Sequence, residues 1–307
     1  MTRPVLEIGG THVTAALVDL SASAVHGRSV RESLSPQGSA EEILGRLART
    51  ASRLGAPASA TWGVAVPGPF DYAAGLARFE GVGKFDALYG TDVGAALRAR
   101  IRPAPAALRF VNDADAFGIG EHTGGAAAGH ARAVCLTLGS GVGSAFLADG
   151  VPVNDGPQVP PQGSAHRLSF DGRPLEDTVS RRAIRAAYAR ATGGDADEVP
   201  DVRGIAARAR AGDAPAGAVL AGAFRALGVA MAPWVTRFGA TVLVVGGSIA
   251  ASWELVVTPL RDGLGDGGAD GSAVAPALLP DTASLLGAAR WAASRASDEE
   301  ESRGVRL

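Results

Sequence analysis

Apolar residues follow two rhythms along this chain. Short apolar blocks run up to glycines, and longer stretches repeat their apolar positions at helical spacing. Val5-Leu6-Glu7-Ile8 ends in Gly9-Gly10-Thr11, and a second apolar run, reaching Asp19, follows at once. Two β-favouring runs joined by Gly-Gly predict a hairpin whose glycines take positive φ and leave backbone N–H groups uncovered. Ile43, Leu44, Leu47, Ala48, Ala51 and Leu54 predict a helix over 40–54. Trp62 to Val66 reads as a buried strand stopped by Pro67-Gly68-Pro69, and residues 71–92, rich in glycines and aromatics, read as a long loop that carries a site. A short helix over 93–101 and a strand over 108–111 follow, and Asn112-Asp113 caps a helix running from Ala114.

The pattern then repeats. A strand over 133–138 ends in Gly139-Ser140-Gly141-Val142-Gly143-Ser144 and resumes as Ala145-Phe146-Leu147, so the chain reads as two related halves. This stretch half-matches a dinucleotide fingerprint, but a Rossmann turn opens a helix and this one leads into a strand. Residues 152–174 read as loop or irregular strands, 175–190 as helix, 192–200 as a polar loop, and 201–211 and 215–238 as helices. A strand over 241–245 meets a third glycine turn, Gly246-Gly247-Ser248. Helices over 251–263 and 281–296, the last opened by Asp281, and a charged tail complete the reading.

Composition narrows the classes. The chain has 307 residues, enough for two lobes with a real core. Formal net charge is −2 and pI about 6.2, so nothing draws the whole molecule to nucleic acid or an anionic membrane. The longest apolar stretches read as strand-sized, far short of a membrane span. Met1-Thr2-Arg3-Pro4 runs straight into the first strand, so no signal peptide and a cytoplasmic protein are expected. Cys135 is the only cysteine, which excludes an internal disulfide and a cysteine cluster for zinc. Lys84 is the only lysine; the preference for arginine reads as coding bias, although the turn-rich stretch around Lys84 is suited to a ligand.

Glycine turns suit phosphates, because their N–H groups are uncovered. Thr11 adds a hydroxyl, and Glu7 sets a carboxylate just before the first turn, where a magnesium ion could sit. A purely structural hairpin reads equally well from these residues alone. Six segments in order nevertheless resemble the ROK family of sugar kinases and sugar-responsive regulators, within the actin-like ATPase superfamily shared with hexokinases. Glu7-Ile8-Gly9-Gly10-Thr11 is similar to the family's first phosphate motif, and Val66-Pro67-Gly68 to its conserved turn. Val111 to Ala116 resembles the segment of the catalytic aspartate, and Leu138 to Gly143 the second phosphate motif. Val245-Gly246-Gly247-Ser248 resembles the adenosine turn, and Asp281 to Ala289 the closing helix.

The resemblance implies an α/β, two-lobed actin-like ATPase (ribonuclease H-like) fold with a central cleft. Residues 1–111 with about 288–300 would form a smaller lobe, 112–287 a larger lobe with the nucleotide site, and 301–307 a tail. It implies Asp113 as general base, since a sugar hydroxyl is a poor nucleophile at neutral pH. Asp113 also reads as a helix cap, a part Asn112 could fill instead. Substrate contacts would come from Gly68, Asn112, Asp113, His166 and Glu176. ATP and its phosphates would lie on Gly9, Gly10, Thr11, Gly139, Ser140, Gly141, Gly246, Gly247 and Ser248. Magnesium would be reached from Glu7, directly or through water, and would bridge the β- and γ-phosphates. A homodimer is implied, without nucleic acid or membrane partners.

Two departures stand out. The family usually has Asp where this chain has Glu7, a displacement of roughly 1 Å that can matter about a hundredfold in rate. The family's sugar loop, Glu-x-Gly-His followed by cysteines around a structural zinc, here reads Gly163-Ser164-Ala165-His166 with no cysteines. His166 alone cannot hold a structural zinc, so no zinc and a loop held by other means are expected. Leu175 to Ser180 resembles the second sugar-binding motif, which makes Glu176 an acceptor of a substrate hydroxyl; an acid in a first helical turn is also favoured by the helix dipole. Losing a carboxylate at 163 should change specificity, which brings a sugar-like cyclitol or modified hexose, phosphorylated on an exocyclic hydroxymethyl group, beside glucose as substrate. The other readings are a DNA-binding regulator, for which no helix-turn-helix fits ahead of the first motif and no basic stripe exists, and a catalytically dead sugar-binding protein.

Overall fold

The computed structural model describes residues 1–195 and 198–304, with the backbone alone from 295 onward. It divides into two compact units, residues 1–124 with 281–307, and residues 125–280. In chain order the first unit holds β1 (Thr2–Ile8), β2 (His12–Asp19), β3 (Ala24–Ser33), α1 (Ala40–Arg53), β4 (Thr61–Val66), β5 (Phe70–Asp71), β6 (Leu76–Ala77), α2 (Val93–Arg100), β7 (Ala107–Asn112) and α3 (Asp113–Gly124). The second holds β8 (Arg132–Leu138), β9 (Val142–Ala148), β10 (Val151–Pro152), β11 (Ser169–Phe170), β12 (Arg173–Pro174), α4 (Glu176–Val179), α5 (Arg181–Thr192), α6 (Val202–Arg210), α7 (Ala214–Phe238), β13 (Val242–Gly246), α8 (Trp253–Asp266) and β14 (Ala273–Pro276). The chain then returns to the first unit as α9 (Ala283–Gly304).

The two units share one sheet plan, which bears out the repeat read from the sequence. The first sheet runs β3-β2-β1-β4-β7 and the second β10-β9-β8-β13-β14. In both, the first three strands pair antiparallel and the last three parallel. Alternate core-facing residues fill each unit separately. Leu6, Val13, Trp62, Val64, Leu97 and Ile101 are buried in the first, and Leu136, Phe146, Ile184, Phe224, Leu243 and Leu260 in the second.

Glycine sets the helix packing in each unit. On α3, a Cβ at Gly120 would stand 2.0 Å from the Ala283 carbonyl oxygen, and on α9 one at Gly287 would stand 1.8 Å from that of Ala116. On β4, a Cβ at Gly63 would lie 2.1 Å from the Ala288 oxygen. The same device joins α7 to α8, where a Cβ at Gly228 would stand 2.3 Å from the Leu260 carbonyl oxygen and one at Gly263 would stand 2.1 Å from that of Arg225. These contacts move the boundaries from those expected. Residues 112–124 and 281–287 fall in the first unit, because α3 and α9 are pressed backbone to backbone. Of the expected tail, 301–304 continue α9 and 305–307 lie outside the described residues.

Three further expectations change. The helix read over 175–190 is two helices, because Ser180 takes extended backbone (φ −68°, ψ 160°) and its Oγ accepts from the Ala183 N–H at 3.3 Å, starting α5 afresh. β3 and β14 were not read, since neither shows clean alternation. The apolar stretches are not all strand-sized: α7, at 25 residues, is long and apolar enough to cross a membrane by length and composition. Its apolar face, with Leu220, Phe224, Leu227, Met231 and Val235, belongs to the core of the second unit. Gly228→Ala should destabilise the fold by about 1–3 kcal/mol through overpacking, whereas Gly222→Ala, on the same helix with nothing within 4 Å of the new methyl, should raise Tm slightly. Thermal unfolding of the two variants checks the contrast.

Candidate functional site

In the first unit, β1, β4 and β7 run parallel and in register, Glu7 beside Ala65 and Val66 beside Asn112. Their carboxyl ends therefore lie side by side, where open α/β sheets receive ligands. This edge gathers Glu7, the Pro67-Gly68 turn, Asn112 and Asp113. Asn112 takes the cap: its Oδ1 accepts from the N–H groups of Ala114 at 2.9 Å and Asp115 at 3.3 Å. Its Nδ2 donates to the Tyr72 hydroxyl at 2.8 Å. Asp113, half-buried, accepts from Ala114 N–H through Oδ1 at 2.9 Å. Burial pushes the Asp113 carboxyl above the ordinary aspartate value, while the charge of Lys84 and the N–H groups of Ala114 and Asp113 pull it down. Burial also raises Glu7; the Ser284 hydroxyl donating to it opposes this, the charge of Asp113 adds to the rise, Arg31 opposes it, and Asp281 adds again.

The first glycine turn is tight. Gly9 N–H donates to the His12 carbonyl at 2.8 Å, and the Thr11 hydroxyl pairs with His12 Nδ1 at 2.8 Å. No heavy atom lies within 4 Å of a Cβ built at Gly10. The expected positive φ is absent here: Gly9, Gly10, Gly139, Gly141 and Gly246 all have ordinary backbone, and among the turn glycines Gly247 alone is left-handed, at φ +87°. At Gly141 and Gly247 the missing Cβ is what the turn uses, since one there would collide with a neighbour.

In the second unit, β8 and β9 are joined by Gly139-Ser140-Gly141, with Gly139 N–H donating to the Gly141 carbonyl at 3.0 Å. Glu176 closes this turn: Val142 N–H donates to its Oε1 at 2.9 Å, and a Cβ at Gly141 would stand 2.4 Å from that oxygen. Gly246-Gly247-Ser248 folds over the end of β8, and a Cβ at Gly247 would meet the Leu138 oxygen at 2.4 Å. Arg181 ties the two turns, its backbone N–H donating to the Gly139 carbonyl at 3.1 Å and its Nη2 to Ser248 Oγ at 3.3 Å. His166 stands exposed on a short turn. That loop is held by Ser144 of β9, which donates to the Gly163 carbonyl at 2.6 Å and accepts from Ala165 N–H at 2.7 Å. Gly163 has φ +63°, and a Cβ there would lie 2.6 Å from Asn154 Oδ1, so a glutamate does not fit without moving the loop. Among the described residues no three His, Cys, Asp or Glu side chains are gathered as a metal cluster.

Residues 5–295 match the sequence profile of the ROK family. The chain belongs to the ROK family. A glucokinase of Thermotoga maritima is 26% identical to this ROK protein over 276 residues, 84% of this chain and 85% of the relative. A ROK hexokinase of Thermus thermophilus shares 25% identity and superimposes with a TM-score of 0.75, covering 97% of this chain and all 100% of the other. A ROK glucokinase of Streptomyces griseus, solved with glucose and AMPPNP, superimposes equally well at 0.75 with 22% identity over 94% and 98% of the chains, a likeness of fold. The actin-like ATPase fold expected from the motifs is the fold of this ROK protein.

Thus the structure brings Glu7, Gly68, Asn112 and Asp113 together on one sheet edge, and Gly139, Ser140, Gly141, Gly246, Gly247, Ser248 and Glu176 around two adjoining turns. Sequence reading missed Tyr72, Ser284, Arg181 and Ser144. None carries a local signal, since each acquires its role from a partner distant in the chain. Glu176→Ala should leave the Val142 N–H unpaired, a cost of about 1–3 kcal/mol. Gly141→Ala should displace the same carboxylate, so thermal denaturation of the double variant should show less than the sum of the two losses.

Proposed function

We propose that this ROK protein is an ATP-dependent phosphotransferase that phosphorylates a hydroxyl of a hexose or a sugar-like cyclitol. The observation that carries the reading is the division of labour at the start of α3. Asn112 satisfies the helix N–H groups, and Asp113, whose Oδ1 takes one of them, keeps Oδ2 for another proton. Relatives named as glucokinase and hexokinase support the reaction class. In this reading Asp113 accepts the proton of the attacking hydroxyl. The hydroxyl oxygen bonds to the γ-phosphorus of ATP, the bond from that phosphorus to the bridging oxygen breaks, and ADP leaves. In the first unit the open space over Gly10 suits a phosphate oxygen; the glycine turn at 139–141 of the second unit is suited to one as well. Glu7 fits a magnesium ion held through water: it is a half-buried carboxylate raised by burial and by two like charges, which a cation relieves. When bound, the ion neutralises charge on the phosphates.

The substrate reading favours a cyclitol or modified hexose beside glucose, with the exocyclic hydroxymethyl group as acceptor. Gly163 motivates it, because the acceptor carboxylate expected there is replaced by a left-handed glycine packed on Asn154. Coupled ADP release with ATP and a panel of hexoses and cyclitols tests it. Turnover of glucose alone would remove the cyclitol, and polyol binding without turnover of any would turn the reading to an inactive sugar-binding protein.

Asp113→Asn should lower kcat about 10²- to 10⁴-fold with polyol affinity retained, as measured by steady-state kinetics and calorimetry. The base works deprotonated, and its pKa is raised in the fold. The acid limb of kcat/KM should therefore lie at higher pH than an ordinary aspartate gives, with activity lost as pH falls through it. Stability should move the other way. With the folded pKa above the unfolded one, ionisation costs stability at neutral pH, and the cost disappears below the unfolded pKa. Asp113→Asn should raise Tm at pH 7 by roughly 1–4 °C, and the gain should vanish in acid.

A further inference from the structure

We infer that Tyr72 is a positioning residue that takes one of the two hydrogens of the Asn112 amide, whose oxygen the start of α3 already occupies, and leaves the other for the substrate, so that the group beside the reacting hydroxyl must carry a lone pair. This rests on the phosphotransferase reading above. The argument is a count of donors and acceptors. An asparagine amide has one oxygen that accepts and one nitrogen with two hydrogens to give. The N–H groups of Ala114 and Asp115 can be met only by Oδ1, which fixes the amide's orientation without appeal to its appearance. Nδ2 therefore faces Tyr72, whose hydroxyl oxygen accepts one hydrogen at 2.8 Å. The Tyr72 hydroxyl keeps its own proton: burial raises its pKa, the Asn112 bond opposes this, and the charges of Asp113 and Asp115 raise it further. It directs that proton toward the Val66 carbonyl at 3.5 Å, at the end of β4. The ring is held by Phe70, centroids 5.5 Å apart.

What remains of Asn112 is one N–H, with no acceptor among the described residues. The space over it is kept clear by Gly68, where a Cβ would sit 3.9 Å from Nδ2 and 3.4 Å from the Tyr72 hydroxyl. Asp113, next in the chain, offers the complementary acceptor. Together they read a pair of substrate groups: a hydroxyl that gives its proton to Asp113, and a neighbour that receives one from Asn112. A hydroxyl, an ether oxygen or a ketone meets the second requirement. An ammonium does not, because its donors would face a donor. A keto-cyclitol is therefore admitted at that position, and an amino sugar carrying its charge there is refused.

The test uses the full chain with ATP and whichever polyol the panel identifies. Tyr72→Phe keeps the ring and removes the oxygen, so KM for the polyol should rise roughly threefold to tenfold, with KM for ATP unchanged. Gly68→Ala, which fills the cleared space without a forbidden φ, should also raise the polyol KM. Polyol analogues in which single hydroxyls are replaced by keto, deoxy or amino groups should reveal one position where keto is retained and both deoxy and amino lose affinity. At that position the keto-to-deoxy preference should shrink in Tyr72→Phe. Unchanged polyol KM in Tyr72→Phe, or retention of the amino analogue at every position, overturns the inference while leaving the kinase reading intact. Failure of the wild-type protein to bind or turn over any polyol overturns the kinase reading, and the inference with it.

Discussion

Helix α9 lies closer to its neighbours than side chains permit. Glycines at 63, 120 and 287 let its backbone, and the backbones it meets, approach to distances at which any Cβ would collide. A close-packed interior transmits such contacts rigidly. The consequence is positional: α3 begins with Asp113, and α9 carries Ser284, which bonds Glu7. Pinning α9 against α3 and β4 thus fixes the carboxylates of the first unit relative to one another. The same two-glycine device between α7 and α8 shows that the repeat extends from sheet order to helix packing.

The first unit keeps two carboxylates close together and partly buried. Burial raises both the Glu7 and the Asp113 carboxyl, and the charge of Asp113 adds to the rise at Glu7. Asn112 makes this tenable. Because it caps α3, the aspartate beside it is not needed for that purpose, and the helix start becomes a platform that presents one acceptor and one donor.

In the second unit, carboxylate and hydroxyl groups that sequence reading assigns to ligands or leaves unassigned also brace the backbone. Glu176 holds the N–H after the Gly139–Gly141 turn. Ser144 braces the 163–165 loop with two short hydrogen bonds to its backbone. Gly163 suits this loop, and a glutamate at that left-handed position would have to displace Asn154.

The sequence by itself determined the local and periodic facts: the glycine-terminated strands, the repeat of strand, turn and strand, and the Asn112-Asp113 pair ahead of a helix. These follow from spacing and from residue chemistry that acts within a few positions. It also determined the family, because six motifs in order constrain more than any one of them. Tertiary structure decided what depends on partners far apart in the chain. It set Tyr72 against Asn112, 40 positions away, and Glu176 against Val142, 34 positions away. It drew the unit boundary at 124 and 280 rather than at 111 and 287, since that boundary follows backbone contacts made by glycines that look unremarked in a linear reading. A glycine's value lies in what would strike its absent side chain, and that neighbour is supplied by the fold.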